Sequence, residues 1–284
     1  MKEEIQDFWQ NHPCGAELVG DLPEKSKQNY EDFFARYDEF RYRTESHILK
    51  NLDQIDFEGK RVLEIGLGQG ADSEQIIRRG AIYSGIDLTE ESVERVKMRF
   101  LLRDLPFAEV KQASALELPF PDNSFDIVYS HGVLHHIPDI QAAQKEIARV
   151  LKPDGKLVAM LYAKRSLNYL FSIFFVRRVG LLALYFLKLK VAGIYQHHLN
   201  NAREKGIWNY LKMRNFIHVN TDGAFNPYSK VYNLAEVKKD FADFAIIESH
   251  QEFMHAPPLK VGWMPLAKWL GWHLWVTMKI RQEQ

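Results

Sequence analysis

Nine residues constrain this chain more than any others: Val62-Leu63-Glu64-Ile65-Gly66-Leu67-Gly68-Gln69-Gly70. A short apolar run ends in three alternating glycines and passes straight into a helical period. Glycine permits close backbone approach that a Cβ would block. The run therefore reads as a strand whose end delivers main chain to a ligand. In open α/β sheets such ligands sit beyond the carboxyl ends of the strands, where strand order reverses. The spacing is G-x-G-x-G, not the G-x-G-x-x-G of a dinucleotide loop. Asp87 ends the next apolar run, 21 residues after Gly66, where a carboxylate can accept both hydroxyls of a ribose.

The pattern repeats downstream. A helix closes at Gly80, Tyr83 to Leu88 reads as a second strand, and Thr89 caps a helix expected to bury Val93, Val96, Phe100 and Leu101. Val110 to Ala113 is a short third strand. A Pro119–Asn123 turn precedes a fourth, Phe125 to Tyr129. Asp139 caps a helix with Ile140, Ala143, Ile147, Val150 and Leu151 on its apolar face, and a Lys152-Pro153-Asp154-Gly155 turn leads to a fifth strand, Lys156 to Tyr162. Phe244 to Ser249 and the strictly alternating Trp272 to Ile280 add two more candidates. Apolar strands alternating with helices imply a doubly wound α/β domain.

Composition narrows the class. With 46% hydrophobic and 26% charged residues over 284 positions, a large core is available and global disorder is excluded. Lys plus Arg equals Asp plus Glu at 37 each, which argues against a protein that coats nucleic acid. Cys14 is the single cysteine, so no internal disulfide or Cys-rich zinc site is expected. The acidic N-terminus lacks the apolar stretch of a secretory signal, and a cytoplasmic location is expected. The longest apolar stretch, Leu167 to Leu187, is cut by Arg177 and Arg178 into halves too short to span a bilayer. Residues 164–230 hold eleven Lys/Arg against Glu204 and Asp222, so this segment is +9 and the remainder −9. The expected organisation is an N-terminal cover (1–57), a nucleotide-binding core (58–163), a basic helical insertion (164–230) and a C-terminal part of the sheet (231–284).

The motifs in register resemble the class I S-adenosylmethionine-dependent methyltransferases, in the group that includes ubiquinone- and menaquinone-biosynthesis enzymes. The resemblance rests on 62–70, on Gly-Ile-Asp-Leu-Thr at 85–89, on Leu118 to Val128, on Ser130 to Asp139, and on Arg149 to Gly155. The flanks are similar to a subgroup with F-W-x-x-H-P-C-G (here 8–15) and an R-Y-R-x-E-x-H-I stretch (41–48). It implies a Rossmann-like seven-stranded sheet, mostly parallel with the last strand antiparallel, and S-adenosylmethionine as methyl donor. By the same resemblance Glu64, Gly66, Leu67, Gly68 and Gly70 surround the amino-acid end of the cofactor. Asp87 holds the ribose, Leu88 flanks the adenine, and Ser130 lies beside the methionine portion. Ser114-Ala115 stands where the family usually has Asp-Ala, which replaces a charged adenine contact by a hydroxyl.

The acceptor side is read from chemistry. A base is needed only if the nucleophile carries a proton, and histidine suits that task. His131 and His135, just past the fourth strand, are the catalytic candidates, with His131 the first to touch the acceptor. His136 has the structural alternative of bonding backbone in its turn. Tyr37 and Tyr42, with Arg41, Arg43 and His47, precede the sheet as lid or cofactor-carboxylate candidates, and Trp9, His12, Pro13 and Cys14 belong to the same cover. No carboxylate stands at a characteristic spacing from the histidines, so no metal is expected. The position after the fourth strand reads Ser-His-Gly-Val, not the [D/N]-P-P-aromatic of nucleic-acid amino-methyltransferases. The expectation is methyl transfer to an O, N or C nucleophile of a small, largely apolar, anionic metabolite; the alternatives are a non-catalytic nucleoside binder and an enzyme acting on membrane lipid. The basic insertion suits an anionic acceptor, peripheral membrane contact through 164–190, or a cap with its own aromatic core.

Overall fold

The computed structural model describes residues 2–12 and 27–282; Pro13 and Cys14 lie outside them. Helices α1 (Lys2–Asn11), α2 (Lys27–Thr44) and α3 (His47–Asp53) precede the sheet. The core alternates β1 (Arg61–Ile65), α4 (Ala71–Arg78), β2 (Ile82–Asp87), α5 (Glu90–Leu102), β3 (Glu109–Gln112), β4 (Phe125–His131), α6 (Ile140–Val150) and β5 (Leu151–Tyr162). The insertion follows with α7 (Arg178–Phe186), α8 (Ile194–Lys205), α9 (Ile207–Tyr210) and α10 (Met213–Phe216), and then come α11 (Leu234–Asp240), β6 (Phe244–Glu252), α12 (Ala267–Leu270) and β7 (His273–Ile280).

The seven strands lie in the order β3-β2-β1-β4-β5-β7-β6. β1 to β5 pair in parallel, while β7 runs antiparallel to both neighbours. Strand order reverses between β1 and β4, so the loops after those two strands open onto one crevice. Two apolar layers sandwich the sheet, one around Leu63, Val128, Ile147 and Val276, the other around Val62, Val96, Phe100 and Trp275. Covering both faces explains why the alternation of β7 leaves both of its sides buried over most of its length.

Three local expectations differ from the structure. Leu101 is 66% exposed, because Val93, Val96 and Phe100 already occupy the sheet-facing stripe of α5 and the next residue turns away. The Lys152–Gly155 turn is absorbed into β5, where a register shift between Phe125 and Ile127 takes up the extra residues. Thr89 sits at the N-cap of α5 in an extended conformation, yet its hydroxyl contacts Asp87 Oδ1 and Ser92 Oγ instead of capping.

The segment 164–230 leaves and re-enters the sheet domain at one point. Ala163 bridges Tyr232, Tyr232 N–H donates to Tyr162 O (2.7 Å), and Lys164 N–H donates to Tyr232 O (2.8 Å). Between those ends it builds its own core from Ile173, Leu181, Leu199, Tyr210 and Phe216, closed by Trp272.

The N-terminal helices are fastened by a buried cation. Arg99 on α5 is fully buried; its Nη2 meets the Asp38 carboxylate on α2, its Nε donates to Glu74 Oε2 on α4 (2.8 Å), and its Nη1 donates to Gln69 O in the glycine loop (3.2 Å). Arg103 Nη1 also donates to Asp38 Oδ2 (2.8 Å) and Glu74 Oε2 (2.5 Å), and Arg78 Nε to Glu74 Oε1 (2.7 Å), so both carboxylates keep a cation when Arg99 is removed. Arg99→Met is expected to cost about 1.5–3 kcal/mol in urea unfolding, the range for hydrogen bonds between charged groups. A loss below about 1 kcal/mol would place the contact with exposed surface pairs instead.

Candidate active site

The crevice between β1 and β4 is a cavity of about 420 Å³. Its floor is the glycine loop. Gly66 and Gly68 take φ of +84° and +52°, and a Cβ on Gly66 would lie 2.2 Å from Val133, so only glycine keeps this wall open. Gly70 does not line the cavity. It N-caps α4 at φ +76°, against Val96 and Arg99, and thereby starts the helix.

Asp87 lines the cavity and is already engaged. Its Oδ2 accepts from Leu67 N–H (2.8 Å) and its Oδ1 from Thr89 N–H (2.9 Å), so the carboxylate clasps the glycine loop to the start of α5. Burial raises its pKa against the pull of those amide donors. Leu88, Ser114, Ala115 and Leu67 line the same region, and Ser114 Oγ accepts from Leu116 N–H (3.2 Å).

Glu64 also borders the cavity, but Ser73 Oγ and Tyr83 OH both donate to its Oε2, so it braces the loop from beneath. Burial, followed by the negative charge of Asp72, pushes it up to about 8. Ser130 is absent from the cavity wall. It is fully buried and donates to Ile65 O (3.0 Å), tying β4 to β1, because the strand alternation turns its side chain away from the crevice that His131 faces.

Opposite the Asp87 region the N-terminal helices supply charge. Arg41 donates through Nε and Nη2 to both oxygens of Asp72 (3.0 and 2.8 Å), and all three of Arg41, Asp72 and Glu45 line the cavity with Tyr37. Burial would raise Asp72, but the charge of Arg41 overrides it and holds the carboxyl at about 2. Tyr42 stands behind this pair, its hydroxyl 3.4 Å from Asp72 Oδ1, and does not reach the cavity. Asp72 carries no sequence signal beyond its place in the first turn after the loop, and was missed.

The three histidines separate. Arg41 Nη2 lies 3.2 Å from His131 Nδ1, and a guanidinium only donates, so Nδ1 is the acceptor. Burial pulls the ring's pKa to about 3, with the charge of Asp72 opposing and that of Arg41 assisting. His131 is therefore neutral with its proton on Nε2, a buried atom that meets no partner among the described residues. That makes it a hydrogen-bond donor and removes it from the role of base.

His135 is fully buried, off the cavity, with its ring 3.9 Å from that of Tyr162; it is a packing residue and not a catalytic one. The same 3-10 turn throws His136 to the other side, onto the cavity wall. Its Nδ1 donates to Tyr228 O (2.8 Å) with Ser229 Oγ 3.1 Å away, and its Nε2 lies 3.4 Å from Asp222 Oδ2. Among the described residues neither His136 Nε2 nor Asp222 Oδ2 has a hydrogen-bond partner, while Asp222 Oδ1 accepts from Tyr162 OH (2.5 Å). Trp9 of α1 stacks edge-on against His136, and His12 stacks on Phe225, so the described part of the N-terminal cover closes over this end.

Glu45, His131 and His273 each bring a ligand-type atom within 4.8 Å of the others, a carboxylate neighbour that the linear spacing concealed. With Arg41 among them and the His131 proton placed on Nε2, the set is arranged for hydrogen bonding; a cation would have to displace that proton.

The residues present fit S-adenosylmethionine. A glycine-lined wall admits close approach, Asp87 offers carboxylate oxygens for a diol, and Arg41 with Asp72 offers opposite charges for an amino-acid end. Residues 63–159 match the family model for a methyltransferase domain. The fatty-acid O-methyltransferase of Mycolicibacterium smegmatis is 39% identical over 104 residues, which cover 36% of this chain and 37% of that protein. The 27-O-demethylrifamycin SV methyltransferase of Amycolatopsis mediterranei is 39% identical over 101 residues, covering 35% and 37%. The ubiquinone biosynthesis O-methyltransferase of Neisseria meningitidis is 33% identical over 120 residues, covering 42% and 50%. The matches thus span between about a third and a half of these relatives' length. A Thermotoga maritima structure described as an S-adenosylmethionine-dependent methyltransferase shares the fold with a TM-score of 0.54 at 17% identity, over 99% of this chain and 100% of that one. One from Mesorhizobium loti gives 0.51 at 16%, over 83% and 97%. Residues 63–159 thus match a methyltransferase domain, within a fold shared with structures described as S-adenosylmethionine-dependent methyltransferases.

Two measurements follow from this geometry. Asp87→Ala is expected to weaken S-adenosylmethionine binding by about 1.5–3 kcal/mol, the range for hydrogen bonds to a charged group, in calorimetry; unchanged affinity would remove Asp87 from the site. Glu64, with a folded value near 8 against an ordinary 4.5, holds a proton that the unfolded chain releases, so stability drains as pH rises through that window. Glu64→Gln removes the drain, and its melting temperature should gain on the parent progressively from pH 4.5 to pH 8. A difference that does not change with pH would return Glu64 to the ordinary carboxyl range.

Proposed function

We propose that this protein is a methyltransferase that places the methyl of S-adenosylmethionine on a hydroxyl oxygen of a small, largely apolar metabolite. The observation that carries the reading is the pair His136 and Asp222. A ring nitrogen free to take a proton, oriented from behind by a backbone carbonyl, is what an O–H nucleophile requires. The names of the three similar proteins, all methyltransferases and two of them explicitly O-methyltransferases, agree with an oxygen acceptor.

When bound, S-adenosylmethionine supplies a methyl group activated by its sulfonium. The protein's own work is to align and to keep water out. Asp87, Leu88 and Ser114 hold the nucleoside end, and Arg41 with Asp72 the amino-acid end. His131 Nε2–H donates to an acceptor oxygen and orients it. His136 Nε2 takes the hydroxyl proton, and Asp222 stabilises the imidazolium that results. Trp9, Ile5 and Lys2 of α1 roof the cavity.

The test combines purified protein, methyl-labelled S-adenosylmethionine and extract from the source cells, partitioned into organic, aqueous and macromolecular fractions. Label in the organic fraction, lost in Asp87→Ala, is expected. Label in macromolecules would overturn the acceptor class, and no transfer despite cofactor binding would leave a non-catalytic binder. Once an acceptor is isolated, His136→Gln is expected to lower kcat by about 10²-fold or more with little change in KM. A comparable loss in Asp222→Asn, with His136→Gln close to the parent, would mark Asp222 as the base instead.

A further inference from the structure

The helix running from Asn168 to Phe186 is π-helical to Arg177 and α-helical from Arg178, and only one side of it is used by the fold. On the inner side Ser172 and Ile173 are buried, Leu181 enters the insertion's core, and Arg177 is spent on backbone carbonyls. Its Nε and Nη2 donate to Pro257 O (3.1 and 3.0 Å) and its Nη1 to Asn220 O (2.7 Å). On the outer side Phe171, Phe175, Val179, Ala183 and Leu187 recur every four residues, all exposed, with Leu170 and Phe174 beside them. Phe186 extends this face to Trp208, ring centroids 6.4 Å apart; both are more than half exposed.

Along this stretch of chain the charge has one sign. Between Asp154 and Glu204 there is no acidic residue. Arg178 lies on the face with its guanidinium 5.1 Å above the Phe174 ring, and exposed Lys188 and Lys190 alternate with Leu187 and Leu189 where the helix ends. We propose that this face docks the protein on the surface of a bilayer rich in anionic phospholipid, with the aromatic stripe in the acyl boundary and the cations at the headgroups. The helix is long and apolar enough to cross a membrane by length and composition. The buried grip of Arg177 on Pro257 and Asn220 instead fixes it flat against its own domain. A second copy of the chain would have to bring the same uncompensated positive charge to the interface, whereas an anionic surface neutralises it.

The inference stands apart from the acceptor chemistry, and its test uses no enzymatic readout. Full-length protein is sedimented with vesicles of phosphatidylcholine alone and of phosphatidylcholine with a roughly equal share of phosphatidylglycerol. Binding to the anionic vesicles only, weakened by salt, is expected. Phe171→Ser with Phe175→Ser should lower the partition at least about tenfold, and Lys188→Glu with Lys190→Glu should do the same, since each basic residue near such a surface raises binding about fivefold. The lysine pair lies in a fully exposed stretch, so its variant tests the idea even where the phenylalanine variant folds poorly by circular dichroism. Equal sedimentation with both vesicle types, no sedimentation with either, or a dimer in solution that only the phenylalanine variant dissolves would each overturn it.

Discussion

The ion pair between Arg41 and Asp72 joins two helices that Arg99 ties a second time through Asp38 and Glu74. Asp72 belongs to the first turn after the glycine loop and Arg41 to a helix that lies outside the sheet altogether. A carboxylate buried at that depth is tolerable only with a cation against it, so the N-terminal helix must dock for the site to exist. The same guanidinium then reaches His131 and decides which of its nitrogens holds the proton. One buried contact thus closes the cavity, sets its charge and fixes the hydrogen-bonding character of its nearest histidine.

Around that contact the site divides its labour by element. The parallel strands and their loops, which are rigid and pre-formed, carry the groups suited to a nucleoside. The pieces added before and after the alternating core carry the groups suited to a second molecule: Glu45 and Trp9 from the front, Asp222 and Tyr228 from the insertion. Glu64 and Asp87 belong to neither class alone, because each holds the glycine loop as well as bordering the space above it. Buried acids at both ends of one loop keep its left-handed glycines in a single arrangement, which lowers the ordering cost of any ligand that lands on them.

What was legible in the sequence was local. The strand–glycine–helix register, Asp87 at the end of β2, the cap at Asp139 and the alternation of β7 all arise from neighbours along the chain, where periodicity speaks directly. What was not legible came from pairing over distance: Arg41 with Asp72, Asp222 with His136, and Glu45 with His131 and His273 are each brought together only by the fold. Side-chain direction produced the other misreadings. Ser130 and His131 are adjacent in a strand and so face opposite ways, and the single turn at Leu134–His136 sends His135 into the core and His136 into the cavity. A motif places such residues to within a position, but one position decides between a site and its foundation.

The neck formed by Ala163 and Tyr232 carries a consequence of its own. Ladder hydrogen bonds close both ends of the 164–230 segment, so the sheet experiences those residues as one long loop, and closure entropy rises only slowly with loop length. A replacement that ties the same knot must also supply what Arg177 gives Pro257 O and what the insertion's core packs on Trp272. Because Asp222 travels with the spliced piece while His136 stays behind, exchanging the insertion would rewrite the proton-handling pair together with the shape of the chamber, and leave the nucleoside half of the molecule untouched.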